Sequence, residues 1–281
     1  MDRQNPGFVS ATEKPPGRAA TSDTRSVFIS DVHLGTRGAQ TERLLDFLQR
    51  IEPENLYLVG DILDFWKGRS GWFWPRINNQ LVQTVVELAA SGTRVVFIPG
   101  NHDEVLRDYV GSEFNGVAIE RDAVHETAAG ERYLVMHGDE VDAVVRHNKW
   151  VAYLGGEAYN GLLVVNRWFN YVRRRLGFQY WSLSAFLKHK VKNAANYIAS
   201  FEQAVAWEAK ERGTDGVICG HIHKAQITPL QGITYANCGD WVESCTALVE
   251  RPDGRLEIVD WSQPEADVVP IDRHQQDHKC A

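Results

Sequence analysis

Five times between residues 26 and 223, a short apolar run rich in β-branched residues stops at an Asp, Asn or His. No other feature limits the fold as much. The runs Val27-Phe28-Ile29, Leu56-Tyr57-Leu58-Val59, Val95-Val96-Phe97-Ile98, Tyr133-Leu134-Val135-Met136 and Val217-Ile218-Cys219 read as strands, and Ile233-Thr234-Tyr235 and Thr246-Ala247-Leu248-Val249 add two more. Between them lie helical patterns, one from about Thr41 to Ile51 with Leu44, Leu45 and Leu48 on one face, and one near Asn78 to Ala90. Strands alternating with helices predict a layered α/β fold. In open α/β sheets, ligand sites gather at the carboxyl ends of the strands, which is where the five polar stops fall.

The stops are Ser30-Asp31-Val32-His33, Gly60-Asp61-Ile62-Leu63-Asp64, Pro99-Gly100-Asn101-His102-Asp103, Met136-His137-Gly138-Asp139 and Cys219-Gly220-His221-Ile222-His223. A charged or imidazole side chain just beyond an apolar run is costly to bury unless it binds something. Asp31, His33, Asp61, Asn101, His137, His221 and His223 supply two carboxylates, four imidazoles and one amide oxygen. That donor set suits a pair of divalent ions of intermediate hardness, manganese first, with iron or zinc as alternatives, rather than an all-oxygen calcium site. Asp31 and His33 are two residues apart, so an extended backbone would point both to one side, and His221 and His223 repeat the spacing. Any one segment has a bland explanation, such as a turn or a satisfied structural histidine. Five in order, each after a strand, do not.

The ordered set DxH, GDxxD, GNHD, a later His and GHxH resembles the calcineurin-like metallophosphoesterases over about residues 26–262. The resemblance implies a four-layer α/β/β/α sandwich with a helical insertion serving as a lid, and two-metal hydrolysis of a phosphoester. Position by position, Asp31, His33, Asp61 and His223 would hold one ion, and Asp61, Asn101, His137 and His221 the other. His102 would serve the leaving oxygen as the catalytic acid, with Asp103 orienting its imidazole. Asp64 is a candidate to support the site from behind. Asp139 could orient a ligand or simply close its own turn, and Glu104 reads as the start of the next helix.

Composition then points to where substrate is chosen. The chain carries a net charge of −7, but residues 140–200 contain nine basic residues against three acids, so that segment is +6 and the remainder −13. The same segment holds 11 of the 29 aromatic residues. It reads as the helical insertion, about 140–200, within a domain spanning 26–262. Residues 1–25, rich in Pro, Gly, Ser and Thr, and 263–281 read as flexible tails. Four cysteines without CxxC spacing suit a reducing compartment, and no run of about 18 apolar residues occurs. The expected location is therefore the cytoplasm.

Chain length, together with the position and basic, aromatic character of the insertion, resembles the bacterial UDP-2,3-diacylglucosamine hydrolases. These cut a lipid-linked nucleotide sugar to UMP and a lipid 1-phosphate, peripherally on the cytoplasmic face of the inner membrane. Trp168, Tyr180 and Trp181 beside Arg173, Arg174 and Arg175 suit an acyl chain and a diphosphate. One position departs from that family: it usually has Arg after the metal-binding Asn, whereas this chain has His102. A general phosphodiesterase, protein phosphatase or nuclease would use the same metal set. A nuclease would need a salt-dependent grip through the +6 segment, whereas the acidic total argues against a surface that grips nucleic acid as a whole. A scaffold without catalysis would be expected to have lost ligands, and none is missing. Trp66, Trp72, Phe73 and Trp74 form a second aromatic cluster, read first as a packed loop and second as a guide for acyl chains.

Overall fold

The computed structural model describes residues 23–66, 71–142 and 183–262, with 183–195 described by main chain alone. In chain order its elements are β1 (Ser26–Ile29), α1 (Thr41–Leu48), β2 (Asn55–Val59), α2 (Arg76–Ala90), β3 (Arg94–Ile98), a 3-10 turn over Glu104–Tyr109, β4 (Glu113–Phe114), β5 (Val117–Ile119), β6 (Ala123–Glu126), β7 (Arg132–Val135), α3 (Leu183–Glu211), β8 (Gly216–Cys219), β9 (Gln226–Leu230), β10 (Ile233–Asn237), β11 (Thr246–Glu250) and β12 (Leu256–Asp260). They form a seven-stranded sheet, ordered β12-β11-β1-β2-β3-β5-β4, and a five-stranded sheet, ordered β6-β7-β8-β10-β9. β1, β2, β3 and β5 run parallel in the first sheet, and β7, β8 and β10 in the second.

Side-chain alternation along the strands builds the layers. On β1, Val27 and Ile29 face a cluster containing Leu44, Phe47 and Leu48 of α1 and Leu81 and Leu88 of α2. Phe28 points the other way, where it meets Tyr57, Val59, Val96 and Ile98 of its own sheet and Val135, Ile218 and Ala236 of the second. The outer face of the second sheet, through Leu134, Val217 and Tyr235, packs on Phe201, Val205, Ala206 and Ala209 of α3. The result is the expected α/β/β/α sandwich. Both faces of the central strands are covered, which is why they read as continuous apolar runs rather than alternating ones.

Sequence periodicity placed the central strands and missed β4, β5, β6, β9 and β12. β4 has two residues, β9 carries Pro229 at a sheet edge, and β6 alternates buried Ala123 and His125 with exposed Val124 and Glu126. Helix α3 extends beyond residue 200 to Glu211. Its last turns are therefore a core layer of the sandwich as well as a continuation of the basic segment.

At the amino end of β1 the two sheets are pinned by a buried carboxylate. Glu250 accepts hydrogen bonds from Arg25 (2.7 Å), Ser26 (2.7 Å) and the Ala128 N–H (2.8 Å), and lies 2.8 Å from His125 Nε2 on β6. The other nitrogen of His125 meets the Tyr57 hydroxyl at 3.2 Å. Burial raises the Glu250 pKa, but hydrogen bonds led by His125 and Ser26 outweigh it and hold the group down to about 2. Removing one partner of such a pair is expensive, so Glu250→Ala is expected to cost about 3–5 kcal/mol in urea unfolding. The ordinary value is 4.5, so the carboxylate's contribution is complete above that pH and is lost as pH falls toward about 2. The variant should therefore lose the acid limb of the wild-type stability profile, and an unchanged limb would refute this account.

Candidate metal centre

Six of the seven predicted ligand residues, Asp31, His33, Asp61, His137, His221 and His223, converge at the carboxyl edge of the two sheets, and Asn101 lies on the loop after β3 beside them in sequence. The backbone does not bring them together as an extended chain would. Asp31, His33, Asp61, His221 and His223 have φ of 53°, 54°, 53°, 71° and 53°, all left-handed. The expectation that DxH and HxH converge by β alternation is therefore wrong: single left-handed residues turn each side chain inward. Main-chain bonds lock the turns side by side, with His33 N–H donating to Asp61 O at 2.9 Å and Trp241 N–H to Asp31 O at 3.0 Å.

The donors fall into groups whose ligand atoms lie within 4.8 Å of one another: Asp31, His33 and His223; Asp61, His137 and His221; and a third joining His33, Asp61 and His102. Asp61 Oδ2 stands between the first two, 4.0 Å from His33 Nε2 and 3.4 Å from His137 Nε2. Its Oδ1 accepts the His102 N–H at 2.8 Å, so one oxygen holds the loop while the other faces the centre. His137 Nδ1 donates to Val59 O at 3.1 Å, which sets the ring's orientation and turns Nε2 toward Asp61.

These residues fit a pair of cations. Among the described residues, five buried side-chain polar atoms have no hydrogen bond, and three are Asp31 Oδ1, Asn101 Oδ1 and His137 Nε2. Buried polar atoms without an aligned hydrogen bond are rare, and here two of the three, Asp31 Oδ1 and His137 Nε2, meet only other proposed ligands, at 3.0 Å from His223 Nε2 and 3.4 Å from Asp61 Oδ2. Glycines keep the space clear. A Cβ on Gly100 would meet Asp61 Oδ1, and one on Gly220 would lie 2.6 Å from Asp31 Oδ2. The electrostatics agree. Burial lowers the pKa of His137, but the Asp61 and Asp31 carboxylates overcome it and push the group up to about 10. The field that holds a proton on that imidazole is the field that would hold a cation. Burial also opposes ionisation of Asp31, yet His223 and His137 keep its pKa below the usual carboxylate range.

Two support assignments change, those of Asp103 and Asp139, and that of Asp64 gains its partner. Asp103 does not orient His102. Its carboxylate, fully buried, accepts the N–H groups of Gly100 (2.6 Å), Ile62 (2.8 Å), Leu63 (3.1 Å) and Asp61 (3.3 Å), bolting the GDxxD turn to the GNHD turn. Burial raises its pKa to about 6 despite those bonds. Asp64 takes the place expected for Asp103: its Oδ2 lies 3.1 Å from His102 Nδ1 and 3.6 Å from His33 Nδ1, although the first contact is not aligned as a hydrogen bond. Asp139 neither orients a ligand nor merely closes its turn; it pairs with Arg107 at 2.6 Å.

The aromatic cluster after GDxxD is tied to the site but is not a buried packed loop: Trp66, Trp72 and Phe73 are exposed. Trp72 donates to Asp64 O at 2.7 Å and stacks on Trp74, with ring centroids 5.0 Å apart. Trp66 lies 4.1 Å from the His102 ring, tilted by 30°. Asp142, which the sequence reading passed over, lies 3.0 Å from His221 Nε2. It stands alone after HGD with no repeated spacing to mark it. Trp168, Arg173, Arg174, Arg175, Tyr180 and Trp181 lie outside the described residues.

The chain is similar to known proteins. Residues 24–225 match the family described as Calcineurin-like phosphoesterase. A UDP-2,3-diacylglucosamine hydrolase of Haemophilus influenzae (strain PittGG) is 27% identical, with 80% of this chain and 94% of that protein covered. One of Haemophilus ducreyi is 28% identical, covering 83% and 98%. The structure of Yfce, a phosphoesterase from E. coli, aligns with a TM-score of 0.45 at 15% identity, covering 88% of this chain and 96% of that one.

Proposed function

The chain belongs to the calcineurin-like phosphoesterase family, as a metal-dependent phosphoester or diphosphate hydrolase, and we propose that its reaction is cleavage of a lipid-linked nucleotide sugar of the UDP-2,3-diacylglucosamine type to UMP and a lipid 1-phosphate. The observation that carries the chemistry is the pair of ligand groups meeting at Asp61 Oδ2. The choice of substrate is supported by relatives bearing that activity in their names, more than nine-tenths of whose length this chain covers. Manganese is the proposed ion. Work at the cytoplasmic face of the inner membrane, by peripheral contact, is part of the same proposal. Among the described residues no helix is long and apolar enough to cross a membrane.

Asp31, His33, Asp61 and His223 would hold one ion, and Asp61, Asn101, His137 and His221 the other. When bound, the ions supply a nucleophilic water at neutral pH and neutralise phosphoryl oxygens. His102 carries the proton for the leaving oxygen at Nε2, which lies 4.0 Å from Asp61 Oδ2 at the rim of the ligand groups. Asp64 faces the opposite nitrogen, and the Trp66 ring covers one side of the imidazole. Asp103 keeps the turns bearing Asp61 and Asn101 in register, so its effect on the reaction passes through the backbone. His102→Ala is expected to keep two ions per chain and lose about 10²–10⁴-fold in turnover. Full activity in that variant would remove His102 from the reaction.

A general phosphodiesterase is the second reading, favoured by His102 standing where the lipid hydrolases usually carry Arg. Manganese-loaded enzyme should be assayed on UDP-2,3-diacylglucosamine, a bis-aryl phosphodiester, an aryl monoester, a cyclic nucleotide and single-stranded nucleic acid. UMP release from the lipid nucleotide should exceed every other turnover. No preference for it would leave the second reading.

A further inference from the structure

The imidazole of His221 is clamped from outside the metal-binding motifs. Asp142, 2% exposed, presents Oδ2 to His221 Nε2 at 3.0 Å, while its Oδ1 accepts the Tyr197 hydroxyl at 2.7 Å. The Asp142 N–H donates to Gly138 O at 3.0 Å, which anchors the residue to the turn that carries His137. Tyr197 and Phe201 are four residues apart on α3 and share one helix face. Phe201 meets the His221 ring with centroids 5.7 Å apart, and the His137 ring lies edge-on to it at 5.1 Å. With Nε2 engaged, Nδ1 is the nitrogen left to bind an ion. A carboxylate on the far nitrogen of a metal-binding imidazole fixes its tautomer and plane and raises its basicity.

We propose that Asp142 is the positioning residue for His221, and that through Tyr197 and Phe201 helix α3 sets the affinity of the ion held with Asp61 and His137. The proposal rests on the two-ion reading above and adds a mechanical link to it. α3 begins in the basic, aromatic segment expected to meet substrate and ends in the core of the sandwich. A shift of that helix on binding would reach His221 through two contacts one turn apart, and ion occupancy would bias the helix in return by the same factor.

Metal-free full-length protein should be titrated with Mn²⁺ by calorimetry, as wild type, Asp142→Asn, Tyr197→Phe and the double variant. Wild type should bind two equivalents. Asp142→Asn should weaken one of them by about 10–100-fold and leave the other within about threefold. Tyr197→Phe, which keeps the ring and loses the hydroxyl bonded to Asp142, should weaken the same equivalent by about 3–10-fold. The double variant should be no worse than Asp142→Asn alone, because both act through one imidazole. Equal weakening of both equivalents, or none, in variants whose circular dichroism melts match wild type overturns the proposal. If Asp142→Asn does not fold, Tyr197→Phe decides by the same selective loss. A wild type that binds one equivalent defeats the two-ion reading itself, whereas two equivalents indifferent to these substitutions defeat only the role of Asp142.

Discussion

Asp61→Asn is expected to yield a folded protein that no longer retains two ions and hydrolyses phosphoesters at the background rate. The argument turns on the different tasks of its two oxygens. Oδ1 accepts the His102 N–H at 2.8 Å, and an amide oxygen can do the same, so the turn should survive. Oδ2, 3.4 Å from His137 Nε2 and 4.0 Å from His33 Nε2, would become an NH₂ donor aimed where a cation should sit. The change removes one of two ligand carboxylates and leaves Asp31 as the sole anion among the seven donors. Elemental analysis of the purified protein beside its melting curve would separate ligand loss from unfolding. Two ions per chain in the variant would end the assignment of Asp61 as the shared ligand.

Gly60→Ala is expected to be among the most damaging single-methyl changes in the chain, costing more than about 4 kcal/mol or preventing accumulation of folded protein. Gly60 has φ of +74°, and a Cβ there would sit inside the imidazole of His137. That ring is fully buried, and its Nδ1 is bonded to Val59 O, so it has nowhere to move. Gly111 provides the control. Its φ is +87°, but a Cβ there would meet nothing within 4 Å, so Gly111→Ala should pay for the left-handed backbone alone, about 1–2 kcal/mol. Urea unfolding of the two variants isolates the steric part. Equal losses would mean that His137 can give way, and that the pocket behind it is softer than its packing suggests.

Legibility followed physical cause. The strands that carry the site are buried on both faces, so their composition announces them, and the proposed metal donors stand where those runs end. Asp31, His33, Asp61, Asn101, His137, His221 and His223 could therefore be named from the chain alone. Edge strands such as β6 and β9 are half exposed and left no clean period. The supporting residues were harder because their partners are remote in sequence. Asp103 is adjacent to His102, and adjacency suggested a side-chain contact. The carboxylate instead turns back to main-chain N–H groups about 40 residues away. Asp142 depends on a partner 79 residues later, and nothing local points to it. Asp64 did belong to a motif, and its contact with His102 agrees with the supporting role.

The left-handed turns have a consequence for how such a chain can change over evolutionary time. Eight described non-glycine residues have positive φ, and five of them are proposed ligands. Each such residue holds about 1–3 kcal/mol of conformational strain that surrounding interactions must offset. Bound cations are the natural counterweight, because they reward the same bends that the backbone resists. A lineage that discarded one ligand would lose that reward at several loops together, and the others would be free to drift toward relaxed conformations. Loss of catalysis along that route would be difficult to reverse by restoring a single side chain. On this reasoning the mouth of the sandwich is kept or lost as a unit, while the end pinned by Glu250 holds the two sheets together independently of it.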